Sequence, residues 1–407
     1  MLKTRKWISL LMTGAMLLTL SGCNKEPEVT DDPALTAATD ENGNPITDAE
    51  GNLVPAEPVE EEVYKVGFLY NNEVSDGATN AIFENAREQI EKALAIETCY
   101  IENVLVSDIP AAVRELQDNG CNIIVSCSAR FANSIAKEAN ASADTYYISF
   151  GGDSSGPNYS SFGGELYQTA NVCGIAAAYN TDTNALGIIA DPSSYNVYGI
   201  IDAYVLGAKE IWGAQTDVRL NWVWSDNDEQ IQASSDDLVE QGCDVIMCYT
   251  ESDTGVKYCE ELGVKVIANS CNIPELAPEN YLTGFFFNAS TFVVDTVRAI
   301  KADNFISSVH SGGIAAGTAR LIDFSPICRE GTDTIATKLY DYVKSGQAHV
   351  FTGEIKNRDY KVMVEKGQQL GFSSIREIDW LILGINKVGD FTTIIESPTP
   401  SDMVIKE

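Results

Sequence analysis

The sequence has few of the residues on which many enzyme active sites and nucleic-acid interfaces depend. Only two of its 407 residues are histidines, His310 and His349, so a mechanism that needs several imidazoles is excluded. Lys and Arg number 27 against 59 Asp and Glu, which gives a net charge of −32. Binding to a phosphate backbone relies on clustered basic residues, and this charge therefore argues against nucleic acid as a partner.

Motifs that hold metals or nucleotides are missing as well. None of the ten cysteines forms a C-x-x-C pair, and no P-loop G-x-x-x-x-G-K-[ST] occurs. Most of the cysteines lie in apolar segments, as Cys121 and Cys127 do, where a free thiol packs as a small hydrophobic group. We therefore expect buried free thiols, and we expect neither a metal site nor a cofactor.

The first 23 residues have the pattern of an export signal. Three basic residues precede an apolar segment, residues 7–20, that is too short to span a bilayer comfortably. The run LSGC, which ends at Cys23, resembles the lipobox of bacterial lipoproteins. We expect residues 1–22 to be removed and Cys23 to carry lipid that anchors the chain at the extracytoplasmic face of the cell membrane. An ordinary signal peptide with an incidental cysteine is the alternative.

A tether follows the lipidated cysteine, and we assign it residues 23–62. Residues 24–62 contain twelve Asp or Glu, one Lys, five Pro and no aromatic residue. Such a composition buries too little apolar surface to offset the entropy lost on ordering. We predict a disordered acidic spacer.

From residue 64 onward, short apolar runs alternate with amphipathic segments. Strands are predicted at 65–70, 122–127, 145–150, 185–190, 219–224, 244–249 and 265–268. Helices are predicted at 80–96, 110–119, 131–140, 166–179, 197–212, 228–241, 254–262, 292–302 and 334–345. Continuous apolar strands separated by helices indicate a doubly wound α/β architecture with parallel sheets covered on both faces.

So many units exceed one sheet of ordinary size, and we predict two lobes. Residues 63–175 are assigned to an N-terminal lobe and residues 176–283 to a C-terminal lobe, with residues 284–407 divided between them. Ligands of open α/β sheets bind beyond the carboxyl ends of the strands. The candidate ligand-binding residues are therefore mostly the polar and aromatic residues that follow the predicted strands: Asn71, Asn72, Asp76, Asn80, Ser126, Ser128, Trp224, Asp226, Thr250, Glu251, Asn269, Ser270 and Phe287.

Each of these residues alone is also a common helix cap or turn former. As a set they line two rims rich in hydrogen-bonding groups, which suits a small polar ligand held between two lobes. The turn between the first strand and the first helix, residues 71–80, is predicted both to cap that helix and to supply one wall of the cleft.

Several segments resemble the basic membrane protein (BMP) family of substrate-binding lipoproteins. They are SDGATN at 75–80, FGGELYQ at 162–168, QGCDVI at 241–246 and GVKVIA at 263–268, in an order and spacing similar to the family's. The resemblance implies a type I periplasmic-binding-protein fold with two doubly wound α/β lobes joined by a hinge. It also implies an ABC permease and ATPase as partners, a monomeric binding protein, and a purine nucleoside or nucleobase as ligand, stacked between aromatic side chains.

The sequence departs from the family's pattern at three positions. Thr79 stands where the family usually has an aromatic residue, so that Phe83 or Tyr70 would have to substitute. Ser270 and Asn272 replace the two acids of a DSD stretch that holds ribose in the family. These replacements make a free base, or a different ligand, more plausible.

Other functions remain open at this point. A surface receptor that senses the same ligand through a partner kinase would use the same site, and a sugar or flavin could replace the purine. An enzyme such as a nucleoside hydrolase would have to work with carboxylates alone, at Asp76 or Asp226, because no histidine lies near a plausible nucleophile. We therefore do not predict an enzyme. A transcription regulator would need a helix-turn-helix, and the charge does not suit DNA.

Overall fold

The computed structural model describes residues 46–47, 63–76, 78–392 and 405–406, and only the backbone of Asp76 and Ala78. The predicted signal peptide, the lipidation site Cys23 and all but two residues of the predicted tether lie outside the described residues. The chain divides into two units, residues 1–62 and residues 63–407. Both large sheets belong to the second unit.

The first sheet has seven strands in the order β11-β5-β4-β3-β1-β2-β16. Their bounds are β1 Lys65–Leu69, β2 Glu97–Ile101, β3 Ile123–Ser126, β4 Tyr146–Phe150, β5 Tyr159–Gly164, β11 Val309–Gly312 and β16 Ile405–Lys406. All neighbours are parallel except β16, which pairs with β2 in the antiparallel sense. We call this sheet and its helices the first lobe.

The second sheet has the order β12-β10-β9-β8-β6-β7-β15. Its strands are β6 Leu186–Ala190, β7 Val218–Trp222, β8 Val245–Tyr249, β9 Lys265–Ala268, β10 Tyr281–Phe287, β12 Ala319–Leu321 and β15 Ile385–Asp390. Here only β12 is antiparallel to its neighbour. This sheet and its helices form the second lobe, and a separate ribbon pairs β13 Ile355–Lys356 with β14 Val362–Val364.

Helices cover the sheets because their apolar residues recur at helical spacing and pack onto the buried strands. They are α1 Ala78–Leu94, α2 Ile109–Asp118, α3 Ala132–Ala141, α4 Tyr167–Asn180, α5 Val197–Trp212, α6 Asp228–Glu240, α7 Thr254–Leu262, α8 Ile273–Leu276, α9 Ala289–Lys301, α10 Thr332–Lys344 and α11 Phe372–Arg376. Among the described helices, none has the length and apolar character needed to cross a membrane. The predicted α/β class is confirmed, and each predicted strand and helix is found with ends that differ by at most three residues.

Several strands are missing from the prediction because their sequences do not show an apolar run. β5 reads YSSFGG, which is typical of a turn, yet all six of its residues are buried. β2 begins with an exposed Glu97, and its Tyr100 is only half-buried. β15 begins at Ile385, and Trp380, in the segment before it, packs against the core.

The chain passes between the lobes four times, the last time between β15 of the second sheet and β16 of the first. It leaves the first sheet after Gly164 and enters the second at Leu186, with α4 between them packed against α5. It returns after β10, since α9 packs against α1 and β11 joins the first sheet, and it crosses again between β11 and β12. The boundary expected at residue 175 falls inside α4.

Candidate functional site

A closed cavity lies between the two lobes at the carboxyl ends of their strands, where ligands of open α/β sheets bind. The space within it that a water-sized molecule can occupy is about 20 Å³, which holds about one water in this closed arrangement of the lobes. Its walls come from both lobes: Thr79, Ile82, Phe83, Phe150, Leu166, Ser194, Tyr195, Tyr249, Glu251, Asn269 and Phe287. We call it the interlobe cavity.

Aromatic rings from opposite lobes touch one another around the interlobe cavity. The ring centroid of Phe150 lies 5.6 Å from that of Phe83 in its own lobe. It lies 5.2 Å from Tyr195 and 5.5 Å from Phe287, both of the second lobe. All four side chains are buried. These rings form an apolar surface that suits a flat or aromatic ligand face.

Two glycines of β5 make room for the aromatic walls. A Cβ at Gly163 would lie 2.1 Å from the Tyr195 hydroxyl oxygen, and one at Gly164 would lie 2.3 Å from Cδ2 of Phe287. Any other residue at either position would displace a wall of the cavity. The glycines that give β5 its turn-like sequence are therefore required by the site.

Polar atoms without a protein partner face the same space. Ser194 Oγ and Asn269 Oδ1 are buried and have no hydrogen-bond partner among the described residues, and both residues line the cavity. A buried polar atom left unpaired costs about 1–3 kcal/mol. A polar ligand in the cavity would satisfy them.

The Glu251 carboxylate is shared between the cavity and the contact that closes the lobes. It lines the cavity, and it accepts hydrogen bonds from Asn71 Nδ2 at 2.7 Å and from Ser128 Oγ at 3.0 and 3.2 Å. Both donors belong to the first lobe, which follows from their positions after β1 and β3. The backbone N–H of Glu251 donates to Ser225 Oγ at 2.9 Å.

Arg130 makes the second half of this contact. From the first lobe it donates Nη2 to Asp191 Oδ2 at 2.5 Å and Nε to Ser193 Oγ at 2.6 Å. Asp191 is completely buried, and the Ser225 backbone N–H also donates to it at 2.8 Å. We call the group Asn71, Ser128 and Arg130 of the first lobe with Asp191, Ser193 and Glu251 of the second the interlobe clasp.

Burial changes the acid strength of Glu251. Loss of solvation raises the pKa of its carboxyl group to about 7, with Asp191 and Asp226 adding to the rise and Arg130 opposing it. The neutral carboxyl group is therefore substantially populated near neutral pH.

The turn at residues 71–80 is predicted to cap the first helix and to supply one wall of the cleft, and only some of its residues do so. Asn80 Nδ2 donates to the backbone carbonyl oxygens of Asn72 and Glu73, both at 3.1 Å, so Asn80 holds the turn together and does not line the cavity. The first wall of the cavity is supplied by Thr79 and Phe83 instead. Of the side chain of Asp76 nothing is described.

Of three other predicted residues, Thr250 and Ser270 make hydrogen bonds within their own loops, and Ser126 makes none in the part of the chain that the structure describes. Thr250 Oγ1 donates to the Ser252 carbonyl oxygen at 2.8 Å, and Ser270 Oγ accepts from the Asn272 backbone N–H at 3.3 Å. Ser126 ends β3 with its hydroxyl buried and no partner among the described residues. None of the three lines the cavity.

Trp224 and Asp226 lie beside the interlobe clasp and not in the cavity. The indole Nε1 of Trp224 donates to the Thr392 carbonyl oxygen at 3.1 Å, and its ring packs under the Arg130 guanidinium. Asp226 is exposed, 3.9 Å from Arg130. Of the predicted residues, Glu251, Asn269 and Phe287 line the cavity, and Asn71 and Ser128 reach it through Glu251.

Sequence reasoning missed Arg130, Ser194 and three aromatic walls. A signal existed for two of the walls, since Phe150 and Tyr249 are the last residues of predicted strands. Arg130 reads as the start of a helix, and nothing in its neighbourhood indicates that it contacts a carboxylate 61 residues later.

Residues 152–156, GDSSG, have the G-x-S-x-G spelling of a hydrolase nucleophile elbow. That motif works as a strained turn from a strand into a helix. Here the segment connects strand β4 to strand β5. It therefore gives no support to a hydrolase.

We expect Glu251→Gln to remove a pH dependence of stability. The pKa of about 7 in the folded protein exceeds the ordinary value of 4.5, so the contribution of Glu251 is complete below pH 4.5 and is lost as the pH rises through 7. At pH 8 the variant should be more stable than the parent by about 3 kcal/mol, with little difference at pH 4.5. Urea unfolding across this range measures the difference. The exposed Glu240→Gln serves as control, and equal pH profiles for all three proteins would refute the assignment.

We expect Arg130→Ala to destabilise the closed protein by about 3 kcal/mol, because the buried Asp191 carboxylate loses its charged partner. Arg298→Ala removes an exposed ion pair with Asp295 and should change the free energy of unfolding by less than about 1 kcal/mol. Urea unfolding of both variants gives the comparison. Similar small losses would show that the Arg130 pair contributes no more than a surface pair.

Comparison with known proteins identifies the family of the chain. The model of the family described as ABC transporter substrate-binding protein PnrA-like (Bmp) matches residues 63–340. A purine-binding protein of Brucella abortus is 23% identical over 331 residues, which cover 80% of this chain and 94% of that protein. A protein of Haloferax volcanii, named provisionally as an ABC transporter glucose-binding protein, is 23% identical over 336 residues, 79% of this chain and 84% of that one.

Among solved structures, a solute-binding protein of an ABC transporter system from Aeropyrum pernix K1 shares the fold. Its TM-score is 0.61 at 15% identity, over 72% of this chain and 93% of that one. The predicted type I periplasmic-binding fold and the resemblance to the BMP family are both confirmed. Since the family match spans well over half of the sequence, the chain belongs to the Bmp family of ABC transporter substrate-binding proteins.

Proposed function

We propose that this protein is the lipid-anchored, extracytoplasmic binding protein of an ABC importer and that it closes on a purine base or nucleoside. The observation that carries the ligand proposal is the interlobe cavity, in which aromatic walls from both lobes surround unpaired polar atoms. The relative from Brucella abortus is named for purine binding, which supports the same class of ligand. A permease and an ATPase are the partners that import requires.

The cavity chemistry fits a purine in two ways. Stacking of a base on aromatic side chains contributes roughly 1–3 kcal/mol per base, and the rings of Phe83, Phe150 and Phe287 are available in the cavity walls. The base edge carries donors and acceptors that could pair with Asn269, Ser194 and the Glu251 carboxyl group. Hydrogen bonds made in a dry cavity discriminate strongly, because the wrong ligand leaves buried groups unpaired.

Within this class we favour the free base. Ser270 and Asn272 replace the acids that would hold a ribose diol, and the Ser270 hydroxyl is engaged by the Asn272 backbone. The Asn272 side chain is exposed. Among the described residues that line the cavity, only Glu251 carries a carboxylate, and it already accepts two donors from the first lobe.

The ligand is tested by thermal unfolding of the purified full chain with adenine, guanine, hypoxanthine, their nucleosides, riboflavin, glucose and other simple sugars. A ligand at 100 times its Kd stabilises by about 2.7 kcal/mol, and we expect this with a purine base. Asn269→Ala should weaken the binding about tenfold through one lost hydrogen bond. Asn85→Ala, at an exposed position of α1 that does not line the cavity, is the matched control and should bind as the parent does. A shift with glucose but with no purine would overturn the ligand assignment and leave the family unchanged.

The anchor is tested separately. With lipid on Cys23 the protein should sediment with membranes, and Cys23→Ala should release it to the soluble fraction. Cys328→Ala leaves the same number of cysteines and should remain with the membranes. If the parent protein itself is soluble after cell lysis, the lipid proposal fails, whereas the ligand proposal stands.

A further inference from the structure

Two buried thiols of the first lobe lie in contact. Cys99 Sγ on β2 is 3.2 Å from Cys121 Sγ, which lies in the turn before β3. Cys99 is fully buried and Cys121 is 3% exposed. A disulfide has an S–S distance of about 2.04 Å, so an approach of roughly 1 Å would allow the bond. We call Cys99 and Cys121 the thiol pair.

In the second lobe, the backbone positions equivalent to Cys99 and Cys121 are occupied by Arg219 and Cys243, so only one of the two is a thiol. Gly67 pairs with Cys99 and Ile124 in the first sheet, and Gly187 pairs with Arg219 and Ile246 in the second. Cys121 and Cys243 precede Ile124 and Ile246 by three residues each.

The turns that carry the two cysteines also match. The backbone N–H of Cys121 donates to the Leu116 carbonyl oxygen at 2.9 Å, and that of Cys243 to Leu238 at 3.0 Å. The preceding glycines have φ of +86° and +90°. Arg219 thus occupies in the second lobe the position that Cys99 occupies in the first. The turn alone does not bring two thiols together, and the contact depends on the cysteine at position 99.

We propose that Cys99 and Cys121 form a disulfide when the protein meets an oxidising disulfide such as oxidised glutathione. Oxidising compartments are where structural disulfides form and persist. Among the other described cysteines, Cys248 and Cys259 of the second lobe are also hydrogen-bond partners, and none of the nine is cross-linked in this structure.

The reaction proceeds by thiol–disulfide exchange. The Cys121 thiolate attacks one glutathione sulfur, forms a mixed disulfide and releases a glutathione thiol. The Cys99 thiolate then attacks the Cys121 sulfur and releases the second glutathione. Two protein thiols are oxidised, one glutathione disulfide is reduced to two thiols, and the protons pass to these products.

Access sets the rate. Cys121 follows the exposed Gly120 but is itself only 3% exposed, so the reagent reaches it only when the turn opens. The hydrogen bond with Cys99, together with burial, raises the pKa of the Cys121 thiol far above its ordinary value, and little thiolate is present. The folded protein should therefore react slowly, whereas the pair should oxidise readily during refolding, before it is buried.

The bond would stabilise the lobe without touching the ligand site. Cys99 pairs with Gly67 in the middle of β1, whereas the interlobe cavity lies beyond the carboxyl ends of the strands. The disulfide would close a loop of about 22 residues and connect β2 to the turn before β3 across β1. We expect the Tm to rise by about 5 °C.

The experiment refolds the full chain with oxidised and reduced glutathione, and in parallel incubates the folded protein with oxidised glutathione. Free thiols are then alkylated under denaturing conditions, without reductant. Trypsin cleaves after Arg114, between the two cysteines, so a disulfide appears as a linked pair of peptides. Fragmentation separates Cys121 from Cys127, which lies in the same peptide. Melting is recorded with and without reductant.

We expect the linked peptides, and a reductant-sensitive Tm, in the parent protein and in Cys243→Ala. Cys99→Ala should show neither, although its reduced form melts cooperatively. The proposal is overturned if both thiols are alkylated after refolding with oxidised glutathione. It is equally overturned if Cys121 carries only glutathione, or if the link joins Cys127 in place of Cys121.

Discussion

The closed form of this protein depends on how two carboxylates are buried between the lobes. An isolated carboxylate placed in the interior is strongly unfavourable unless it is paired and hydrogen-bonded. Asp191 and Glu251 belong to the second lobe, and the groups that neutralise or hydrogen-bond them, Arg130, Asn71 and Ser128, belong largely to the first. Neither lobe can satisfy these acids alone, so closure and charge burial are one event. Hinge closure of this kind is the motion expected for two-lobed binding proteins.

The two lobes place their site residues by a common plan. Their strand orders correspond from one end to the other, β11-β5-β4-β3-β1-β2-β16 with β12-β10-β9-β8-β6-β7-β15. Aligned through Gly67 and Gly187, Asn71 and Asp191 occupy the same position after the first strand of each sheet, and both enter the interlobe clasp. The repeated fold brings two equivalent edges face to face, and differences in side chain at equivalent positions shape the cavity.

Because the site is formed between two lobes, only part of it could be predicted from the sequence. Strands with continuous apolar residues, such as Lys65–Leu69, can be recognised from the sequence alone. The rule that ligands bind beyond strand ends then leads directly to Glu251 and Asn269. β5 could not be recognised, because its glycines are chosen for Phe287 and Tyr195 in the other lobe and not for strand propensity. For the same reason the role of Arg130 could not be predicted. Its partner, Asp191, is brought to it by closure of the two lobes, which no local sequence pattern encodes.

The charges of the site also limit the ligand. Glu251 lines the cavity, Asp191 and Asp226 lie near it, and Arg130 is held by those acids. No Lys or Arg lies among the residues that line the described cavity, so a phosphate group would bring negative charge to a site that already holds an excess of it. A neutral ligand that donates a hydrogen bond to Glu251 Oε1, which accepts only a 3.2 Å bond from Ser128, gains an interaction instead. For the purine ligand that we propose, these charges favour a base or an uncharged nucleoside over a nucleotide, because the acids that close the lobes would repel a phosphate.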